Sequence, residues 1–401
     1  MLHIHFGAGR LGLGLIAPFF QTPDSELFIL NRAVSASKPS GADALSPDRR
    51  NALLRDNPDR VFVIQEPGDG ASARHVVHYN GFHEYDSDAV DEIIGSIIDH
   101  SERKQDGVVV TAALLSAGNY RPVLAALSFL ADLREREQVG PIFLVACENA
   151  VSAHDVFRDA DLCEVISDLT RRHVTCLHAL VDRVCVGLEE GQVDDHPAVL
   201  VRAEEYGSLK LELPPGMDDL ERKLQNSRVE FSRHVAVEKQ IKSWLLNGTH
   251  WLLALRALQD GGSSELKLNE FLAETPEHRA FAEQVMQEMR DGVAVILRTD
   301  PKYADFVKDV DAEAYLDGAA AAILKRFMSN EDPISRILAR FQEPTAESPS
   351  TIEAFSKRLS DRVDEPISAY VAEKGVAPPA TTQSVQSLLR LIASGKFINA
   401  G

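Results

Sequence analysis

Apolar residues recur with two different periods along this 401-residue chain, and the change from one to the other divides it. Through the first half, short apolar runs alternate with longer amphipathic stretches. Leu2, Ile4 and Phe6, then residues 27–30, 61–64, 76–79, 107–111 and 141–146, have the length and the β-branched or aromatic content of strands. Residues 89–98 and 123–133 have helical spacing. Beyond about Pro214 the period becomes helical throughout. Phe281, Val285, Met289, Val293 and Ile296 make one stripe, and Val385, Leu388, Leu389 and Ile392 another. Strands alternating with helices predict an α/β class with a mainly parallel sheet. The expected architecture is a doubly wound sheet over 1–215, followed by a mostly α-helical domain over 216–401, with the polar stretch 343–350 as a connection.

The first strand runs directly into Gly7-Ala8-Gly9-Arg10-Leu11-Gly12, and Leu13, Leu15 and Ile16 continue as an apolar helix. A G-x-G-x-x-G pattern is weak alone and strong between a strand and a helix. Gly7 suits the tight turn, Gly9 lets backbone approach a pyrophosphate, and Gly12 allows strand and helix to pack closely. The second strand ends at Asn31-Arg32, where an acidic residue commonly takes the ribose hydroxyls of NAD. No carboxylate there repels a 2′-phosphate and Arg32 offers it a partner, so the cofactor expected is NAD or NADP, with NADP use suggested.

A third pattern carries chemistry. Lys242, Asn247 and His250 are spaced K-x4-N-x2-H among Ile241, Trp244, Leu245, Trp251, Leu252 and Leu255. At about 100° per residue, Asn247 falls about 140° and His250 about 80° around a helix from Lys242, one broad face. A partly desolvated lysine loses its preference for the ammonium form and can serve as a general base. Asn247 can donate to a developing oxyanion, and His250 can orient the same oxygen or the lysine. The bland alternative is a snorkelling Lys242, a kink at Gly248 and a satisfied core histidine. At the end of the sixth apolar strand run, Cys147-Glu148-Asn149 lies where doubly wound sheets collect ligands, so Asn149 is a candidate substrate or nicotinamide contact. Tyr206 and Lys210 match a Y-x3-K dehydrogenase pair, but Gly207 and the extended pattern around them argue against the helix that pair needs.

Sixty-one acidic against 42 basic residues give a formal net charge of −19, which disfavours nucleic acid and anionic membranes as partners. Four cysteines without a C-x2-C pair indicate neither a disulfide framework nor a zinc ribbon, and no metal is expected. No apolar run reaches membrane-spanning length, and Gly7 and Arg10 interrupt a signal-peptide core. A cytoplasmic protein acting on a small molecule, as a monomer or small homo-oligomer, is the expectation.

Phe6-Gly-Ala-Gly-Arg-Leu-Gly12, Ala146-Cys-Glu-Asn149, Val181-Asp-Arg183 and Lys242-x4-Asn247-x2-His250 stand in the order seen in the polyol-specific long-chain dehydrogenases, the mannitol dehydrogenase family, which this chain resembles over most of its length. The resemblance implies an α/β fold, a Rossmann-like doubly wound sheet with added strands followed by a mostly α-helical domain, and NAD(P)-dependent interconversion of a polyol or polyol phosphate with its ketose. Lys242 would be the general base, Asn247 and His250 would bind the reacting oxygen and sugar hydroxyls, Asn149 would complete the oxyanion environment, and Asp182 and Arg183 would be a structural or substrate-lining pair. Hexuronate-reducing and free-polyol members of the family remain open, as does a catalytically silent NAD(P)-sensing module. The chain departs from the family at Asn31-Arg32 and in its last third, where Lys357, Arg358 and Arg362 form either a phosphate-binding cluster or a solvated helix face.

Overall fold

The computed structural model describes residues 1–34, 44–66, 73–86, 89–114, 117–148, 160–214, 216–261, 263, 265–329, 332–334, 337 and 360–393, without the side chains of 160, 161, 360 and 387–393. The chain forms two compact units, Met1–Val235 and Ala236–Gly401.

The first unit holds β1 (Leu2–Phe6), β2 (Glu26–Arg32), β3 (Val61–Glu66), β4 (Ala73–His78), β5 (Gly81–Tyr85), β6 (Val108–Ala112), β7 (Ile142–Ala146), β8 (Val174–Leu177), β9 (Ala179–Asp182), β10 (Cys185–Val193), β11 (His196–Ala203), β12 (Ser208–Glu212) and β13 (Val229–Ser232). Six of them make a parallel sheet in the order β5-β2-β1-β6-β7-β8. Numbered by occurrence within that sheet, this is 3-2-1-4-5-6, the Rossmann order. The order reverses between β1 and β6, so the crevice for a ligand opens beyond Phe6 and Ala112. The expected added strands are real. The hairpin β3–β4 is inserted between β2 and β5, and it joins β10 and β11 in a second sheet, β10-β11-β3-β4. A third sheet, β13-β12-β9, includes Val229–Ser232, paired in parallel with β12. That pairing carries the first unit on to Val235, past the boundary at 215 expected from sequence.

Both faces of the main sheet are covered, which is why its strands are near-continuous apolar runs. Leu2, Ile4 and Phe6 pack against the helices Val90–His100, Arg121–Glu135 and Ala160–Arg171. On the other face Leu15, Ile16, Phe19 and Phe20 pack with Val109 and Val145. The glycine-rich turn therefore sits between two cores that fix both ends of it. Tyr206 precedes β12 and Lys210 lies within it, so the pair is not helical.

The second unit is helical, built around Pro276–Thr299. Thr275 caps this helix by accepting the His278 amide at 3.1 Å, and Pro276 takes the first turn, where its missing N–H costs nothing. Of the expected stripe, Val285, Met289, Val293 and Ile296 are in the core and Phe281 packs partly buried against it. Gly292 is needed for close approach, since a Cβ there would stand 2.1 Å from the Pro366 carbonyl oxygen on the helix Glu365–Lys374. Val385 also packs on this core, within the helix Pro379–Ala393. Among the described residues no helix is long and apolar enough to cross a membrane, and no group of three or more His, Cys, Asp or Glu is placed to hold a metal.

Candidate functional site

In the first unit the glycine-rich turn has the shape the spacing demands. Gly7 has φ +111°, and a Cβ there would lie 2.6 Å from the Ala113 carbonyl oxygen in the loop after β6. A Cβ at Gly12 would be 2.1 Å from Gly7 O and 2.4 Å from His5 Nε2. Gly9 is different: nothing lies within 4 Å of where its Cβ would be. The turn is closed against the protein at Gly7 and Gly12 and open at Gly9, the position that should meet a pyrophosphate. The helix begins at Arg10, with the Leu13 amide donating to Gly9 O at 3.0 Å, so its earlier amides lack intrahelical partners and form an anion-receiving end. These residues fit a dinucleotide. Ala8, Arg10 and Leu11 fall where sequence placed them, in the turn and first helical turn.

Two buried histidines, not singled out from sequence, hold this turn from below. His3 and His5 lie on the β1 face opposite Leu2, Ile4 and Phe6, and the register sets them beside Val109 and Thr111. His3 Nε2 and His5 Nδ1 both lie 2.7 Å from Thr111 Oγ1, and His5 Nε2 lies 2.9 Å from Gly7 O. One assignment of protons satisfies all three contacts: His5 Nε2–H donates to Gly7 O, Thr111 O–H donates to His5 Nδ1, and His3 Nε2–H donates to Thr111. Both rings are then neutral. Burial accounts for it, holding His3 well below its ordinary pKa and His5 at about 4. The legible signal was a polar residue repeating at period two within an otherwise buried strand.

Asn31 is engaged with the turn itself. Its Oδ1 accepts the Ala8 amide at 3.1 Å, while its Nδ2 donates to Asn51 Oδ1 at 2.9 Å. Asn51, on the helix Pro47–Asp56, donates to Glu84 Oε1 at 2.8 Å, and Arg55 Nη1 donates to Glu84 Oε2 at 2.5 Å. Instead of standing ready for a ribose, the Asn31 amide ties the end of β2 to the glycine-rich loop. Arg32 is exposed, with Nη2 3.5 Å from Asn119 Oδ1 across the crevice between the β2 and β6 ends.

At the end of β7, Glu148 is buried and accepts both the Leu114 amide and the Tyr120 hydroxyl at 2.7 Å, joining two strand-end loops. Asn149 lies outside the described residues. Arg183 is structural: its buried guanidinium donates to Gly14 O at 2.6 Å, to Glu204 O and to Glu66, under the helix that follows the fingerprint.

In the second unit the K-x4-N-x2-H segment is helical but not regularly α. An α-helix from Val235 to Lys242 passes through a π-helical stretch, Ser243–Gly248, before α geometry resumes over Thr249–Gln259. The equal 100° steps assumed from sequence therefore do not hold. A π turn bonds residue i to i+5, which brings Asn247 closer above Lys242 than an α-helix would. Burial marks the outcome: Lys242, Asn247 and His250 are half-buried, whereas Trp244, Leu245, Leu246, Gly248, Thr249 and Trp251 are buried. Gly248 gives close approach instead of a kink, for a Cβ there would stand 2.7 Å from the Arg362 carbonyl oxygen. Arg362 thus packs its backbone on this segment, while Lys357 and Arg358 lie outside the described residues. His250 stacks on Phe327 with centroids 5.0 Å apart, and its Nε2 is 3.7 Å from Oδ2 of Asp332, a buried carboxylate that no sequence pattern marks.

Solved structures share this architecture over nearly the whole chain. Mannitol 2-dehydrogenase of Pseudomonas fluorescens, in a ternary complex with NAD and D-mannitol, aligns with a TM-score of 0.56 at 16% identity, covering 96% of this chain and 77% of that one. D-sorbitol dehydrogenase in its substrate-free form aligns with the same TM-score and identity, covering 92% and 79%. This chain has their fold. No protein-family model and no curated protein sequence matches it.

Proposed function

We propose that this protein is an NAD(P)-dependent oxidoreductase of the polyol-specific long-chain dehydrogenase family, interconverting a polyol or polyol phosphate and its ketose. Mannitol 1-phosphate and fructose 6-phosphate are the pair we favour. The observation that carries the reading is the half-buried stripe of Lys242, Asn247 and His250, the last two set in a stretch from Trp244 to Leu255 whose other residues are all buried. Three polar residues at such positions, across a π segment, are costly for folding alone and suit a site. The fold shared with a mannitol and a sorbitol dehydrogenase supports it.

In this reading the Gly7–Gly12 turn receives the pyrophosphate, and the bound nicotinamide supplies the hydride acceptor. Lys242 takes the proton from the substrate hydroxyl in the oxidative direction. Asn247 donates its amide hydrogens to the oxygen as charge develops there, the stabilisation that zinc gives in metal-dependent dehydrogenases, and Asn149 is assigned to the same oxygen. His250, held by Phe327 and facing Asp332, orients a substrate hydroxyl. Arg32, unlike Asn31, has its guanidinium at the exposed end of β2, and we assign it the 2′-phosphate of NADP.

The deciding experiment is a panel of fructose 6-phosphate, fructose and hexuronates, each with NADH and NADPH. Turnover of the phosphorylated ketose above the others is expected. A preference for hexuronates or free fructose would move the protein within the family, and tight cofactor binding with no turnover would make it a nucleotide-sensing module.

A further inference from the structure

The first unit contains a cavity of about 440 Å³ away from the glycine-rich turn, beside the first half of β2 and β5. Its walls include Phe28, Tyr79, Phe82 and His83, and two arginines, Arg55 and Arg60, line it as well. Cavities of this size hold small organic molecules. Phe28 and His83 stack with centroids 6.3 Å apart, giving a planar wall. Burial and the charge of Arg60 keep His83 below its ordinary pKa, so the wall is neutral at pH 7.

The cavity has an electrostatic sense. Arg60 donates to the Asn80 carbonyl and has no carboxylate within ion-pair distance among the described residues. Its backbone has φ +51°, a left-handed conformation unfavourable for a non-glycine residue and concentrated at ligand sites. The one acidic lining residue, Glu26, uses both carboxylate oxygens to accept from Ser101 Oγ and the Glu102 amide. Arg55 reaches further. Through Glu84, Asn51 and Asn31 it is joined by an unbroken series of hydrogen bonds to the Ala8 amide of the glycine-rich turn.

We infer that this cavity binds a small organic anion, a phosphate or carboxylate head on a flat apolar body, and that its occupancy tunes the nucleotide turn. The head takes Arg60 and draws Arg55 from Glu84, and the body lies on the aromatic wall. Glu84, no longer anchored by Arg55, shifts and carries Asn51 with it, and the Asn31 contact to Ala8 is disturbed in turn. The tuning rests on the dinucleotide role proposed above, while the binding does not.

Phenyl phosphate is a suitable probe, titrated calorimetrically into the full chain with inorganic phosphate and benzyl alcohol as controls. Saturable binding at one site is expected, at least tenfold tighter than either control and at least tenfold weaker in Arg60→Gly. That variant removes the charge at a backbone conformation glycine prefers, so its fold should survive. NADH affinity, followed by fluorescence, should fall about three- to tenfold to a plateau as phenyl phosphate saturates, and NADH should weaken phenyl phosphate by the same factor. Glu84→Gln should shrink that factor while phenyl phosphate still binds. No binding, or equal binding by Arg60→Gly, overturns the site. Loss of NADH affinity without a plateau overturns it too, by placing the probe in the dinucleotide turn, and a plateau at no change overturns the coupling. A chain that takes phenyl phosphate but no NADH would refute the proposed function and leave the cavity standing.

Discussion

The glycine-rich turn and the Lys242–His250 stripe are both candidate sites, and opposite kinds of constraint shape them. At the turn, what matters is what is missing: side chains at Gly7 and Gly12 would collide with backbone, and one at Gly9 would meet nothing. At the stripe, what matters is what is present, polar groups at three half-buried positions, two of them in a stretch from Trp244 to Leu255 that is otherwise buried. A steric constraint is met by the protein whether or not a ligand is bound. A chemical one has no purpose without a substrate. Substitutions at the stripe should therefore cost turnover and little stability, and those at the closed glycines should cost stability first.

The largest effect expected is at Lys242. Lys242→Ala should lower kcat by about 10²- to 10⁴-fold, the usual range for a lost general base, with NADH affinity unchanged. Asn247→Ala should cost roughly 3 kcal/mol of transition-state stabilisation, about 150-fold in kcat/KM, with the circular dichroism spectrum intact. Near wild-type rates in either, or unfolding in both, would make the stripe a structural feature.

The histidines under the turn give the first unit a stability that depends on pH. His5 titrates at about 4 in the folded chain, against about 6.5 when unfolded. Between those values only the unfolded state binds the proton, so stability falls as pH drops from 6.5 and stops falling on this account below 4. The loss from His5 is about 3 kcal/mol in all, of which about 2 is gone by pH 5; His3 adds to it in the same direction. Urea unfolding at pH 7, 6 and 5 measures it. His5→Gln, uncharged throughout, should flatten the slope.

Period and turn chemistry made part of the first unit legible: β1 to β4, β6, β7 and the strand–glycine–helix junction follow from apolar runs and Gly7–Gly12, whereas the added strands were implied only by the family resemblance. The boundary at 215 was misplaced because β13 is short and its pairing with β12 is a long-range contact that no local pattern announces. Residue identity made Lys242, Asn247 and His250 visible, but not their phase, since a π segment leaves no periodicity that six residues can show. Asp332 was hidden because a buried carboxylate and an exposed one look alike in sequence. Asn31 was read at the right position with the wrong partner: the acceptor it offers is taken by Ala8, a contact set by backbone geometry.

That partner refines the cofactor prediction. Arg32→Ala should remove about 1.5 to 3 kcal/mol of NADPH binding, roughly 10- to 150-fold, and spare NADH. Asn31→Asp keeps an acceptor for the Ala8 amide but faces Asn51 Oδ1 with an oxygen instead of a donor, so it should weaken both cofactors as well as disfavour NADPH. A wild-type preference for NADH that persists unchanged in Arg32→Ala would remove Arg32 from the site.

The finest test separates two glycines of the same turn. Gly12→Ala puts a methyl 2.1 Å from Gly7 O and 2.4 Å from His5 Nε2, both held in place by buried contacts, and should cost about 1 to 3 kcal/mol of stability with no ligand present. Gly9→Ala adds the same methyl to open space at a residue without a positive φ, so the melting temperature of the ligand-free protein should stay within about a degree of wild type. Its cost should appear only with nucleotide, as weaker NADH binding measured by fluorescence, because the methyl occupies the space through which a pyrophosphate approaches backbone. Full NADH affinity in a stable Gly9→Ala would mean that the turn is shaped by strand–helix packing alone. Equal destabilisation by both substitutions would mean that its open side is filled by the protein itself.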